Sequence, residues 1–381
     1  MLLFVDSMSH YDDTFLTKKW DVRAEDVGFT GKVVQSLTSG RFGGGGITFS
    51  QPSGGLASDH PYYIQKNYNG VTTIICGLAV LQTTTQNVFG GRLLTFLNGS
   101  TTQVGINIMQ SGQLQAVRAT TSGTGIILGQ TNGQITILGL STDSIASSSY
   151  DFLEFKIVHD TTTGSIEVKR NGLAFWTLSN VNTGVGGTES ASVLVGGYTS
   201  FNAGSGGNSA LQAVISDFHL LDTNVNGADA NDPVDFIGDR HWEVVLPTSD
   251  ATYTDWTPDP GGGHFANVDE IPPDDGTTNN STAIVNDKDS FLFDPLTGPD
   301  TASVLLSYTI YSEKDTGGAV GVSGLMRSPA GGGGTDGNGT EFQVPNPYAF
   351  RQSFLCTDPS TSGALTVAIV NASEGGYERT S

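Results

Sequence analysis

At 381 residues the chain is long enough for two domains, each with its own core. Its formal net charge of −21 comes from few bases more than from many acids, since only 14% of residues are charged and 51 glycines stand among abundant Ser, Thr and Asn. That balance excludes a nucleic-acid binder, which needs a basic stripe to displace phosphate counterions. The two cysteines, Cys76 and Cys356, are too far apart for a CxxC zinc site or a cystine framework. Two buried free thiols are expected, with one long-range disulfide as the alternative.

In chain order nearly every element reads as a short strand. The opening "MLLFVDSM" is followed by no basic leader or small-residue cleavage site, and no stretch reaches the roughly 20 apolar residues of a membrane span. No membrane insertion is expected, and the sequons at Asn98, Asn279, Asn280, Asn338 and Asn371 carry little weight. "KKWDVRAEDVGFTGKVVQSLTS" leads into "GRFGGGGITFSQP", a Gly-rich edge. "VTTIICGLAVLQ" is apolar and β-branched enough for a core strand. "GRLLTFLNG", "QVGINIMQSGQLQAVRAT" and "GQITILGLS" continue the pattern. Turn residues punctuate the strands every ten residues or so, and the chain has no amphipathic helical window to serve as a crossover.

Residues 151–172, "DFLEFKIVHDTTTGSIEVKRNG", show the pattern most clearly. Leu153, Phe155, Ile157 and His159 fall on one face of an extended strand, and Phe152, Glu154, Lys156 and Val158 fall on the other. "DTTTG" turns the chain, Ile166 and Val168 point inward again, and Asn171-Gly172 supplies the two positive-φ positions of a type I′ hairpin. With "LAFWTL" this is an antiparallel meander. Glu154, Lys156, Glu167 and Lys169 read as solvated or cross-strand charge pairs. "SASVLVGGYTS" and "ISDFHLLD" close the domain at 221. The polar "DTNVNGADANDPVDFIGDR", 222–240, is the connector, and 241–381 forms a second, smaller β domain with long loops. Its alternation reappears in "DSFLFD", "SVLLSYTIYSEKD", "GVSGLMRS", "YAFRQSFLC" and "ALTVAIVN". The fold class is therefore all-β, a jelly-roll sandwich followed by a second, smaller β-sandwich.

No constellation carries chemistry. A retaining glycosidase needs two carboxylates about 5 to 5.5 Å apart. Glu154 and Glu167 sit on neighbouring strands, but Lys156 and Lys169 are equally near and point to charge pairing. Asp222, Asn224, Asn226 and Gly227 match the first half of an EF-hand loop, yet Pro233 stands where the bidentate Glu belongs. The acid-rich "VDEIPPDDG", 268–276, reads as a Pro-stiffened loop. There is no Gly-x-Ser-x-Gly or HExxH motif, and "GFTGKVV" and "SGTGIILG" lack phosphate-loop spacing. Glycines serve turns, bulges and close strand approach. Tyr62, Tyr63, Tyr68 and Trp256 are the aromatics placed to stack on a glycan, with core or interface packing the alternative. No catalytic, cofactor-binding or metal residue is assigned.

"YDFLEFKIVHDTTTGSIEVKRNGLAFWTL" resembles the central strands of laminin-G or concanavalin-A-like jelly rolls, and "ISDFHLLD" resembles their closing strand. "FIGDRHWEVVLPTSD", "TDWTP", "HFANVDEIPPDDGTT" and "YAFRQSFLCTDPST" together resemble a domain family of tailed-bacteriophage structural proteins. "IVNASEGGYERTS" departs from that family's more apolar ending. The resemblance implies a virion part made in bacterial cytoplasm, with other virion proteins and further copies of itself as partners and a host-surface glycan as a ligand. The expectation is a non-enzymatic phage structural protein, tail-associated as fibre, collar or tail-tip adaptor. A capsid decoration, cement or head-spike protein is the first alternative, and a glycan-cleaving enzyme the last.

Overall fold

The computed structural model describes residues 1–25, 33–50, 60–83, 91–120, 135–202, 207–209, 211–223, 231–274, 276–315 and 317–381. It divides into two compact units, Met1–Val225 with Pro233–Trp242, and Asn226–Asp232 with Glu243–Ser381. Residues 233–242, which the sequence places in the connector and at the start of the second domain, are thus part of the first unit.

The first unit is built from sixteen described strands. The first eight are β1 (Leu2–Asp6), β2 (Val22–Glu25), β3 (Val33–Ser36), β4 (Gly46–Phe49), β5 (His60–Val71), β6 (Thr73–Gln82), β7 (Gly91–Asn98) and β8 (Thr101–Ile108). Then come β9 (Gln113–Ala119), β10 (Ile135–Ser144), β11 (Asp151–Val158), β12 (Gly164–Arg170), β13 (Leu173–Val181), β14 (Ser190–Asn202), β15 (Gly207–Ser209) and β16 (Ala213–Asp222). One antiparallel sheet, sheet A, runs β13-β12-β11-β6-β16-β4-β3, with β1 also on β16. The other, sheet B, runs β10-β9-β8-β7-β14-β5-β2, with β15 on β14. Each sheet sends its apolar alternates to the shared core: Leu153, Phe155, Ile157, Phe49 and Phe218 from A, and Ile64, Leu94, Phe96, Val104 and Ile106 from B, all at most 1% exposed. The edge-on Phe49–Tyr62 contact, centroids 6.5 Å apart, joins the two layers. This is the expected jelly-roll sandwich.

The meander forms as its alternation predicts. β11 pairs β12 with Glu154 opposite Lys169 and Lys156 opposite Glu167, and Asn171 (φ 51°) and Gly172 (φ 78°) make the turn. The expectation that its polar face is solvated fails at one end. Phe152 and Glu154 are fully buried on that face too, because residues 233–242 lie across it. The Glu154 carboxylate accepts the backbone N–H groups of Ile237 and Gly238, both at 2.9 Å. Lys156 pairs with Asp235 at 3.1 Å, and the Lys169 ammonium sits 4.2 Å from the centre of the Phe236 ring. A carboxylate facing two unpaired N–H donors gains more than one left in water, so the supposed surface charge became an anchor.

The second unit adds β17 (Pro247–Thr254), β18 (Thr257–Asp259), β19 (Asn279–Ser281), β20 (Lys288–Phe293), β21 (Leu306–Ser312), β22 (Gly321–Ser328), β23 (Thr335–Asn338), β24 (Phe342–Gln343), β25 (Ala349–Leu355) and β26 (Glu374–Arg379). A six-stranded sheet, β17-β20-β26-β22-β23 with β24 on β22, is joined by the ribbons β18–β19 and β21–β25. Tyr308 of β21 lies on that sheet where Gly324 and Gly375 leave room: a Cβ on Gly324 would stand 2.2 Å from the Tyr308 ring. The strand expected across "ALTVAIVN" is instead a short helix, Val367–Asn371, because the Thr366 side chain caps it by accepting the Ile369 N–H. The divergent C-terminal segment supplies β26, a central strand between β20 and β22.

Candidate functional site

Sheet B turns its second face away from sheet A, and three neighbouring strands carry polar side chains on it that touch one another. The register β7–β8 sets Arg92 opposite Asn107, with a bulge between Arg92 and Leu94 that returns Leu94 to the core. The register β8–β9 sets Asn107 opposite Gln115. The three side chains form one hydrogen-bonded row. Arg92 Nε donates to Asn107 Oδ1 at 2.6 Å, and Asn107 Nδ2 donates to Gln115 Oε1 at 3.1 Å. Arg92 Nη1 donates to Thr95 Oγ1 at 3.1 Å.

Two glycines clear the space for the guanidinium. A Cβ on Gly105 would stand 2.0 Å from Arg92 Nη1, and one on Gly197 would stand 2.8 Å from Arg92 Cβ. Leu97, Val117 and Leu194 are buried on the same face by their register. At one side Gln103 closes it, its amide accepting the Val185 N–H at 2.6 Å and donating to the Val185 carbonyl at 3.0 Å. Arg92 and Asn107 keep 8% exposure and Gln115 keeps 5%, so the row is nearly buried. Burial pulls the Arg92 pKa down to about 10, which leaves the group charged at neutral pH.

Chemically, the row offers a fixed planar cation held by one amide and followed by a second amide. Planar N–H forks of this kind match a carboxylate or a pair of adjacent hydroxyls two bonds at a time.

The residues singled out from sequence lie elsewhere. Glu154 is the anchor of residues 237 and 238, and Glu167 stands opposite Lys156, so the two do not form a carboxylate pair. Asn224, Asn226 and Gly227 lie outside the described residues, and Asp222 ends β16 with its carbonyl accepting the N-terminal amine at 2.7 Å. Glu270 and Asp274 accept hydrogen bonds from the Thr278 hydroxyl and so close their own loop. Tyr62 is a core residue whose hydroxyl accepts the Leu211 N–H. Tyr68 bonds Ser190 Oγ at 2.8 Å, and Trp256 stands edge-on to Tyr377 at 4.7 Å while donating to the Asp287 carbonyl. Cys76 and Cys356 are buried free thiols. Arg92, Asn107 and Gln115 were missed, although "GINI" and "QLQA" alternate polar or glycine with apolar residues; "GRLL" shows no such alternation, because a bulge follows Arg92.

In the second unit Asp289 is fully buried and gathers three donors: His264 Nδ1 at 3.0 Å, the Trp256 N–H at 3.1 Å and the Tyr377 hydroxyl at 3.2 Å. This carboxylate knits β20, β26 and the loop before β19. Among the described residues no three His, Cys, Asp or Glu side chains converge as metal ligands.

No family model matches the chain, and no curated protein does. Among solved structures, an endo-β-1,4-glucuronan lyase from the fungus Trichoderma reesei is 12% identical, with 58% of this chain and 96% of that one covered at a TM-score of 0.40. A marine alginate lyase from Aplysia kurodai is 10% identical over 58% of this chain and 99% of its own, at 0.42. A carbohydrate-binding module from Bacillus subtilis is 10% identical over 50% and 92%, at 0.31. At these identities and scores the likeness reaches no further than the sandwich, and the functional reading rests on residues of this chain. Nothing in it bears on the phage resemblance or on a virion location. The expectation of a non-enzymatic virion structural protein is corrected to this extent: the structures just named are polysaccharide lyases and a carbohydrate-binding module, and that expectation is not carried forward.

Proposed function

We propose that the chain acts on polysaccharide, and that a sugar of the bound chain is read on the outer face of sheet B by Arg92, Asn107 and Gln115. The observation that carries this is the row itself: a guanidinium and two amides aligned across β7, β8 and β9, in space that Gly105 and Gly197 keep clear. Arg92 is held by Asn107 Oδ1 and Thr95 Oγ1, and a guanidinium oriented in this way suits a uronate carboxylate or a pair of sugar hydroxyls.

Cleavage is the second reading, favoured by the same guanidinium, which is placed to neutralise a uronate carboxylate as a lyase reaction requires. Affinity electrophoresis of the full chain through gels containing alginate, glucuronan or a neutral glucan tests binding. Ultraviolet absorbance of the unsaturated sugar left by elimination tests cleavage. Arg92→Gln, which removes the charge and the fork, should weaken binding about ten- to a hundredfold. Retained binding in that variant, or no retardation of the wild type in any gel, would overturn the proposal.

A further inference from the structure

On the sheet A side of the first unit, Phe42 is at once strained and exposed. It occupies the left-handed region, φ 59° and ψ 19°, within the short 3-10 turn Arg41–Gly43 between β3 and β4. A bulky residue pays for that conformation where the adjacent glycines would not, and the ring is still 74% exposed. Burial therefore does not account for its being there.

The ring is nonetheless held firmly. The Arg41 guanidinium lies 4.7 Å from its centre and 5.1 Å from the centre of Phe152, a cation–π contact with each ring. Arg41 is fixed in turn by Asp217 at 3.2 Å, Asp239 at 2.6 Å and the Arg240 carbonyl at 2.5 Å. The His241 ring meets Phe42 edge-on, centroids 4.9 Å apart, its Nδ1 is taken by Asp217 at 3.1 Å, and the side chain is 41% exposed. The loop backbone has no slack, since a Cβ on Gly40 would stand 1.8 Å from the Gly45 carbonyl oxygen and one on Gly45 1.7 Å from that of Met8.

We infer that Phe42 is a stacking platform for one sugar ring of a polysaccharide, with His241 and Asp239 as its hydrogen-bonding flanks. This rests on the reading that the chain handles polysaccharide, and it adds a contact separate from the sheet B row. A protein partner fits less well, because a stable interface needs about 800 Å² on each side with an apolar centre. Here a single ring has His241 edge-on to it and Asp239 paired to the Arg41 guanidinium that meets it, both polar side chains 41% exposed. That pattern matches a pyranose, whose C–H face packs on an aromatic ring while its hydroxyls reach outward.

The test compares wild type, Phe42→Gly, Phe42→Trp and Arg92→Gln as full chains, measuring binding to alginate, glucuronan and a neutral glucan together with the thermal midpoint. Phe42→Gly removes the ring and the strain together, so binding should weaken about tenfold while the midpoint holds or rises. Phe42→Trp should bind at least as well as wild type. Wild-type affinity in Phe42→Gly, with binding lost in Arg92→Gln, would overturn this inference alone. A lowered midpoint in Phe42→Gly would make the ring structural and also overturn it. A wild type that binds none of the three polymers would overturn the proposed function and this platform with it.

Discussion

His159 gives the first unit a calculable sensitivity to acid. The side chain is 2% exposed, its Nδ1 lies 3.5 Å from the Thr183 carbonyl oxygen, and its buried Nε2 has no hydrogen-bond partner. A proton on Nε2 would be buried without an acceptor, and burial pushes the pKa from 6.5 down to about 4. In the unfolded chain the imidazole binds a proton as pH falls through about 6.5, while the folded chain does so only near 4. Stability is therefore fully present well above pH 6.5 and is lost as pH falls toward 4. Linkage gives a loss of about 2 kcal/mol between pH 8 and pH 5, with a ceiling of about 3.4 kcal/mol below pH 4. For a unit of this size that is a drop of about 4 to 8 °C in the midpoint. His159→Asn retains a donor toward Thr183 and does not titrate. Calorimetry of both chains at pH 8 and pH 5 should show the variant less stable at pH 8, from the space it leaves, but with a smaller pH-dependent drop. Equal drops in the two proteins would refute the reasoning.

Three further outcomes follow from the same structure. Glu154→Ala leaves the Ile237 and Gly238 N–H groups without their acceptor and should cost about 3 kcal/mol; hydrogen exchange should quicken across 233–242, and unchanged exchange there would contradict the anchor. Gly105→Ala puts a methyl group 2.0 Å from Arg92 Nη1, so it should weaken polysaccharide binding as much as Arg92→Gln does, and full binding would show the cradle to be unnecessary. Asp289→Ala strands the donors of His264, Trp256 and Tyr377 and should destabilise the second unit by about 3 to 5 kcal/mol in denaturant titration, whereas a loss under about 1 kcal/mol would mean that the network contributes little.

What was legible in the sequence was local. The period-two alternation of 151–170 and the Asn171-Gly172 turn need only neighbouring residues, and they formed as read. The burial of Glu154 was not legible, because its partners are 83 and 84 residues away and arrive from a segment that looks like a linker. The row of Arg92, Asn107 and Gln115 depends on two strand registers and a bulge. The polar alternates at Asn107 and Gln115 were visible, but nothing in the sequence says which strands become neighbours. At 367–371 alternation misled, since a Thr cap outweighed β-branched side chains over one helical turn. The glycines were assigned to turns and close approach in general, and only the coordinates show that Gly105 and Gly197 serve one guanidinium.

The most direct test is a crystal structure of the full chain soaked with a short oligosaccharide of whichever polymer it binds. The account predicts a sugar on the outer face of sheet B, with a carboxylate or hydroxyl pair within hydrogen-bonding distance of Arg92 and Gln115. Sugar bound only at other places, with that face empty at saturating concentration, would contradict it.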